Sequence, residues 1–259
     1  VELGKVLIKS FYTASETNMK TLNEAIQFLD CENKSPQLLL YNAIVHALLE
    51  DNPKQTLEIL CDLPTFDKPK KEARKLYWMI RLMLETEQQE RAKEAATAAF
   101  NLKSNLPPDF SLYLQCIAAD VFKEKKKYQD IISQFCKSRI LCPYPFISLA
   151  RLSTPNEAYT TISKLVRPSS VNITSFFHFD FKPPFLMARP NDITKVRHDV
   201  LELFVDSAAA SGNYLKLFGL FNPSMKVDRK ASKVLSKNRI IYRLHPLNVS
   251  PKPITTLSQ

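Results

Sequence analysis

Apolar residues along the first two thirds of the chain fall into blocks of helical length, and the blocks recur. The dipeptide Leu-Tyr stands at Leu40-Tyr41, Leu76-Tyr77 and Leu112-Tyr113, twice at a spacing of 36 residues, and each copy opens an apolar segment: LYNAIVHALLE, LYWMIRLMLE and LYLQCIAADVF. In the same register Thr56, Ala92 and Tyr128 correspond, as do Ile59, Ala95 and Ile131, then Leu60, Ala96 and Ile132, then Leu63, Ala99 and Phe135. Those columns sit at i, i+3, i+4 and i+7, the stripe of an amphipathic helix. Between the two helices of each unit lies a polar turn: Glu50 to Pro53, Glu85 to Gln88, and Lys123 to Lys126. One helix pair cannot cover both of its apolar faces, so the pairs are expected to stack.

The flanks continue the theme with less regularity. Val6-Leu7-Ile8 with Phe11, then Ala25-Ile26 and Phe28-Leu29, predicts an earlier pair. Pro145 to Leu152, then Ala158 to Val166, predicts a shortened later one. A last pair is expected from Val196 to Ser211, with Val200, Leu201, Phe204 and Val205 on one face, and from Tyr214 to Phe221. Gly212-Asn213 is the turn between them, and Asn191 or Asp192 the N-cap of its first helix. Residues 168–190 differ: Phe176, Phe177, Phe179, Phe181 and Phe185 interleave with polar residues, and Pro183-Pro184 and Pro190 oppose a helix. These rings either fill a groove between helix pairs or form a short strand or partner-facing segment. The expected fold is all-α: an α-solenoid of about six helix-turn-helix pairs over residues 1–167 and 191–222. The aromatic segment 168–190 interrupts it and a basic extension, 223–259, follows.

Composition narrows the picture. With three glycines in 259 residues, phosphate-cradling loops and tight hairpins lack the residues they need, so nucleotide-binding and hairpin-rich folds are excluded. The five cysteines form no C-x-x-C pair and the four histidines are scattered; no metal site is expected, and free thiols in a reducing compartment are. Val1 is not a starting Met and no signal-like apolar core follows it, so a removed or missing leader is expected. No apolar run is long enough to span a membrane.

Charge is the clearest functional signal. The chain carries a net +10, and residues 223–259 hold Lys226, Arg229, Lys230, Lys233, Lys237, Arg239, Arg243 and Lys252 against the single acid Asp228. A basic extension beyond a folded body is suited to RNA, since each neutralised phosphate releases counterions. Two smaller clusters, Lys70-Lys71 with Arg74 beside Lys68 and Lys75, and Lys125-Lys126-Lys127 beside Lys123, are expected at similar ends of successive helix pairs, as a stripe along one side.

The period of 36 and the segment Leu40-Tyr41-Asn42-Ala43-Ile44-Val45 resemble pentatricopeptide repeats, whose first helix often begins with Tyr-Asn; tetratricopeptide repeats are the near relative. The likeness covers residues 1–165, with a weaker echo in 194–221. In pentatricopeptide proteins that read single-stranded RNA, a polar residue after that tyrosine contacts the base. Here the three positions are Asn42, Trp78 and Leu114, and only Asn42 has that chemistry. The chain is thus similar to a degenerate member that has kept the scaffold and lost the reader. Degenerate, lysine-rich, basic-tailed helical-repeat proteins of this size resemble accessory subunits of mitochondrial ribosomes, fungal ones in particular, and organellar mRNA maturation or translation factors. The resemblance implies a mitochondrial matrix location, with rRNA and other proteins of a ribonucleoprotein as partners.

Catalytic signatures are not found: G-x-S-x-G, H-E-x-x-H, a P-loop and H-x-E with P-C-x-x-C do not occur, and His198-Asp199 belongs to an amphipathic helix. The expected protein is a non-enzyme without cofactor or small-molecule substrate. Its expected role is structural, binding rRNA and neighbouring proteins through the tail and a helical surface. The alternatives are an organellar mRNA-binding factor and a protein-only adaptor.

Overall fold

The computed structural model describes residues 35–50, 52–102, 105–136, 142–167, 177–179 and 183–213. Among these the chain is helical, with one isolated antiparallel bridge, Val166 to Phe177. The chain divides into two compact units: Val1–Lys127 with Lys182–Ile193, and Tyr128–Phe181 with Thr194–Gln259. The expected pair at Val6 to Leu29, the helix at Tyr214 to Phe221 and the basic extension lie outside the described residues.

In the first unit, α1 (Pro36–Leu49) is capped by Ser35, whose side chain accepts the Leu38 N–H at 3.3 Å. α2 (Pro53–Asp62), α3 (Pro69–Glu85), α4 (Gln89–Leu102) and α5 (Pro108–Phe122) follow, and α6 (Lys125–Cys136) begins there. α1 packs on α2, α2 on α3, α3 on α4 and α4 on α5, and α3 also touches α1 and α5. The starts of α2, α4 and α6 at 53, 89 and 125 preserve the 36-residue spacing. α1, α2, α3 and α5 all open on proline, whose fixed φ and missing N–H cost nothing at a first helical position.

The repeated columns are the core. Leu40, Leu76 and Leu112 are buried, as are the three tyrosines beside them. Thr56, Ala92 and Tyr128 are buried, and so are Leu63, Ala99 and Phe135; Ile59 and Ile132 are half-buried members of their columns. The turns close without glycine. Glu50 (φ 60°), Asn52 (φ 41°), Glu87 (φ 60°) and Lys123 (φ 53°) all adopt the left-handed conformation in which a side chain is strained.

The proline-rich stretch is not loose where it is described. Leu186, Met187, Ala188 and Arg189 are buried in a turn that leads into α9 (Pro190–Ala210). α9 therefore starts six residues before the expected Val196. Pro190 opposes a helix only in its interior, and here it occupies the first position. Nor is Asp192 the N-cap: it sits in the first turn, where its carboxylate accepts the Arg189 backbone N–H at 2.6 Å.

In the second unit, α7 (Tyr144–Arg151) and α8 (Pro155–Ile162) pack as the expected short pair. α8 is opened by a capping box between Thr154 and Glu157, and a 3-10 turn, Ser163–Leu165, follows it. Val196, Val200, Leu201, Phe204 and Val205 form the buried stripe of α9. That helix ends at Gly212 (φ 74°), with Asn213 N–H bonded to Ala208 and Gly212 N–H to Ala209, the paired bonds of a Schellman motif.

Candidate nucleic-acid interface

Of the basic residues singled out in the sequence, Lys226, Arg229, Lys230, Lys233, Lys237, Arg239 and Arg243 lie outside the described residues. Lys70, Lys71 and Arg74 open α3. Lys71 Nζ donates to Gln37 Oε1 of α1 at 2.5 Å, and Lys70 Nζ lies 5.6 Å from the centre of the Phe110 ring of α5. Arg74 is half-buried between two rings, 5.1 Å from Phe110 and 5.9 Å from Phe185, and its Nε donates to the Phe185 carbonyl at 2.9 Å. Burial, only partly opposed by Tyr41, pulls its pKa below the usual guanidinium value. Lys75 turns the other way: it is buried, donates to the Leu63 and Pro64 carbonyls, and pairs with Glu72 at 3.3 Å.

Lys68, Lys70, Lys71 and Arg74 line an open hollow of about 490 Å³, walled also by Tyr41 and Asn105 with two prolines. No carboxylate lines it among the described residues. Four cations around one concavity form a surface that attracts anions.

The second cluster does not extend this surface as a stripe. Lys125 and Lys126 are exposed at the start of α6; Lys127 pairs with Glu124 at 2.9 Å and lies 4.4 Å from the centre of the Phe122 ring. Phe110 and Phe122 stand at opposite ends of α5, roughly 18 Å apart at 1.5 Å per residue. The reason is positional: Lys70 and Arg74 open the first helix of their pair, whereas Lys125 to Lys127 open the second helix of theirs.

The three positions after the repeated tyrosines are turned inward. Trp78 and Leu114 are fully buried, so neither presents a face to a base. Asn42 is half-buried, and its Oδ1 is a buried oxygen with no hydrogen-bond partner.

Sequence reasoning missed the cluster that fixes the 183–192 stretch. Trp78 Nε1 donates to the Leu186 carbonyl at 2.7 Å, and the guanidiniums of Arg81 and Arg189 lie 5.3 and 5.7 Å from the centre of its ring. Arg81 makes a two-pronged bond to Asp192 (2.8 and 3.1 Å), and Arg189 another to Glu85 (2.6 and 3.0 Å). Arg189 Nε also donates to the Ala47 carbonyl at 2.9 Å. Burial disfavours the Glu85 carboxylate, but the Arg189 bonds and the charges of both arginines outweigh it, holding its pKa below the usual range. Burial dominates at Tyr77, whose phenol is pushed up to about 12. The partners are more than a hundred residues apart, and the only local signal was the pairing of Arg189 and Asp192 around Pro190.

Other chemistry is sparse among the described residues. His198, Asp199 and Glu202 bring their ligand atoms within 4.8 Å, but Asp199 is held by Arg151 at 3.0 Å. Cys116 and Cys142 are buried; Cys61 is half-buried against Arg91, with its thiol pKa raised by burial.

The chain matches no family model, no curated protein and no solved structure.

Proposed function

We propose that the chain is a non-catalytic structural component of a ribonucleoprotein, and specifically of a mitochondrial ribosome, as the pentatricopeptide-like pattern implies. Its helix pairs serve as successive turns of an α-solenoid, and its basic surfaces grip RNA through the backbone rather than through bases. The observation that carries this reading is the division of labour between two sets of residues. The base-reading positions Trp78 and Leu114 are core, while Lys68, Lys70, Lys71 and Arg74 line an acid-free concavity. Backbone phosphates position a protein without encoding sequence, which suits an assembly part better than a transcript selector.

The test is the salt dependence of RNA attachment. Replacing the tail's eight basic residues by Gln should flatten the slope of log K against log salt by up to about 6, at roughly 0.7 per phosphate neutralised on single strands. Unchanged attachment and slope would remove the tail from the account. The alternative of an mRNA-binding factor rests on Asn42, the one of the three positions that is polar and not fully buried. If that alternative holds, Asn42→Ala abolishes a sequence preference; if the backbone reading holds, affinity for different sequences stays equal in both forms.

A further inference from the structure

The opening of α3 departs from ordinary helix electrostatics. A helix N-terminus carries partial positive charge and is normally met by a capping oxygen and acidic side chains. α3 instead has Lys68 at its N-cap, where it makes no side-chain capping bond, and proceeds through Lys70, Lys71, Arg74 and Lys75. The one acid of its first turn, Glu72, is turned inward: it accepts the Phe66 N–H at 2.9 Å and pairs with Lys75. Among the described residues, every charged group that lines the hollow beside it is a cation. Within it, Arg74 is half-buried with no carboxylate partner among the described residues, and its terminal nitrogens make no hydrogen bond there. A charge taken partly out of water in this way is ordinarily paired. The cations are also held in place, Arg74 by the Phe185 carbonyl and two rings, Lys71 by Gln37, and Lys70 over Phe110. An anion arriving there meets side chains that have little ordering left to lose.

We propose that this hollow is a phosphate-binding site that takes a backbone phosphate of single-stranded RNA, with Arg74, Lys70, Lys71 and Lys68 around the oxygens and Tyr41 in the wall. The inference rests on the RNA reading above and adds a second anchor that is independent of the tail. An RNA phosphate fits better than a free ion because the hollow is open and larger than one phosphate needs. Strand can therefore enter and leave past the exposed Lys68 and Lys70.

The test uses the full chain with its tail cations replaced by Gln, so that the hollow acts alone, and a short fluorescent oligouridylate as probe. In that background K68Q/K70Q/K71Q should weaken binding about tenfold or more and lower the salt slope by about 2, at roughly 0.7 per contact. Arginine at the same three positions should restore both. Because the glutamines remove positive charge from the positive end of a helix, Tm should stay level or rise. Affinity and slope indifferent to the triple substitution would overturn the proposal, as would lost binding that accompanies a fall in Tm and resists arginine rescue. If inorganic phosphate raises the Tm of the intact protein while oligouridylate binding ignores the substitution, the hollow takes a free anion and the RNA assignment is wrong. Failure of the wider reading looks different: the intact chain would not travel with any ribonucleoprotein.

Discussion

Trp78 concentrates the chemistry of the first unit at a single side chain. Its indole N–H satisfies the Leu186 carbonyl, and its ring lies against both guanidiniums of the ion network. Trp78→Phe keeps most of the packing but leaves that buried carbonyl unpaired; equilibrium unfolding followed by circular dichroism should show a loss of about 1–3 kcal/mol. Glu85 has a depressed pKa, so the stability it adds is present above its unfolded pKa and is lost as pH falls through the lower folded value. Glu85→Gln should flatten the acid limb of a Tm-against-pH profile, while an unchanged limb would show that the network adds nothing. Tyr77 works in the opposite sense: its folded phenol titrates near 12, so the folded state loses stability as pH rises from the ordinary phenol value towards that point, and Tyr77→Phe should remove that alkaline sag. The long-range pairings of this network could not be read from the sequence. Arg189 and Glu85 are 104 residues apart, and Arg81 and Asp192 are 111 apart. Only the folded chain shows that the acids and arginines meet.

At the scale of elements, the local period and the turns within each helix pair were legible, and the start of α9 was not. Columns such as Leu60, Ala96 and Ile132 repeat because each helix must present the same stripe to the next, a constraint that acts within a few turns. Leu60 is fully buried, and Leu60→Ala should cost about 2–5 kcal/mol in urea unfolding. The start of α9 was misplaced because proline reads as a breaker until its position in the helix is known. The left-handed turn residues were equally hidden, since a glycine-poor chain gives no sign of where φ turns positive. They still carry a cost. Lys123→Gly should stabilise the protein by up to about 1 kcal/mol by relieving the strain at φ 53°. Asn52→Ala should lose about 1 kcal/mol, because the side chain that accepts the Gln55 N–H at the start of α2 is removed.

Across the whole molecule, charge and core answer to different demands. The helical scaffold is built from columns of buried residues, and ion pairs such as Arg81 with Asp192 and Arg151 with Asp199 each lie within one unit. The excess of ten positive charges is of another kind: much of it sits in the tail, and part is gathered around the hollow at α3, where it works against the helix that carries it. Charge placed at a cost to local stability is a mark of a binding surface rather than of a fold. The tail was legible in the sequence as composition. The hollow was not, because it needs Tyr41 of α1 and Asn105 beside the first turn of α3, residues that no periodicity connects.

Everything proposed for the basic surfaces requires that the protein reside in an RNA-containing assembly. Sedimentation of the native protein from an organelle lysate through a sucrose gradient, with and without ribonuclease, tests it most directly. Comigration with a ribosomal subunit that collapses on digestion is the expected result. Slow sedimentation indifferent to ribonuclease would contradict it.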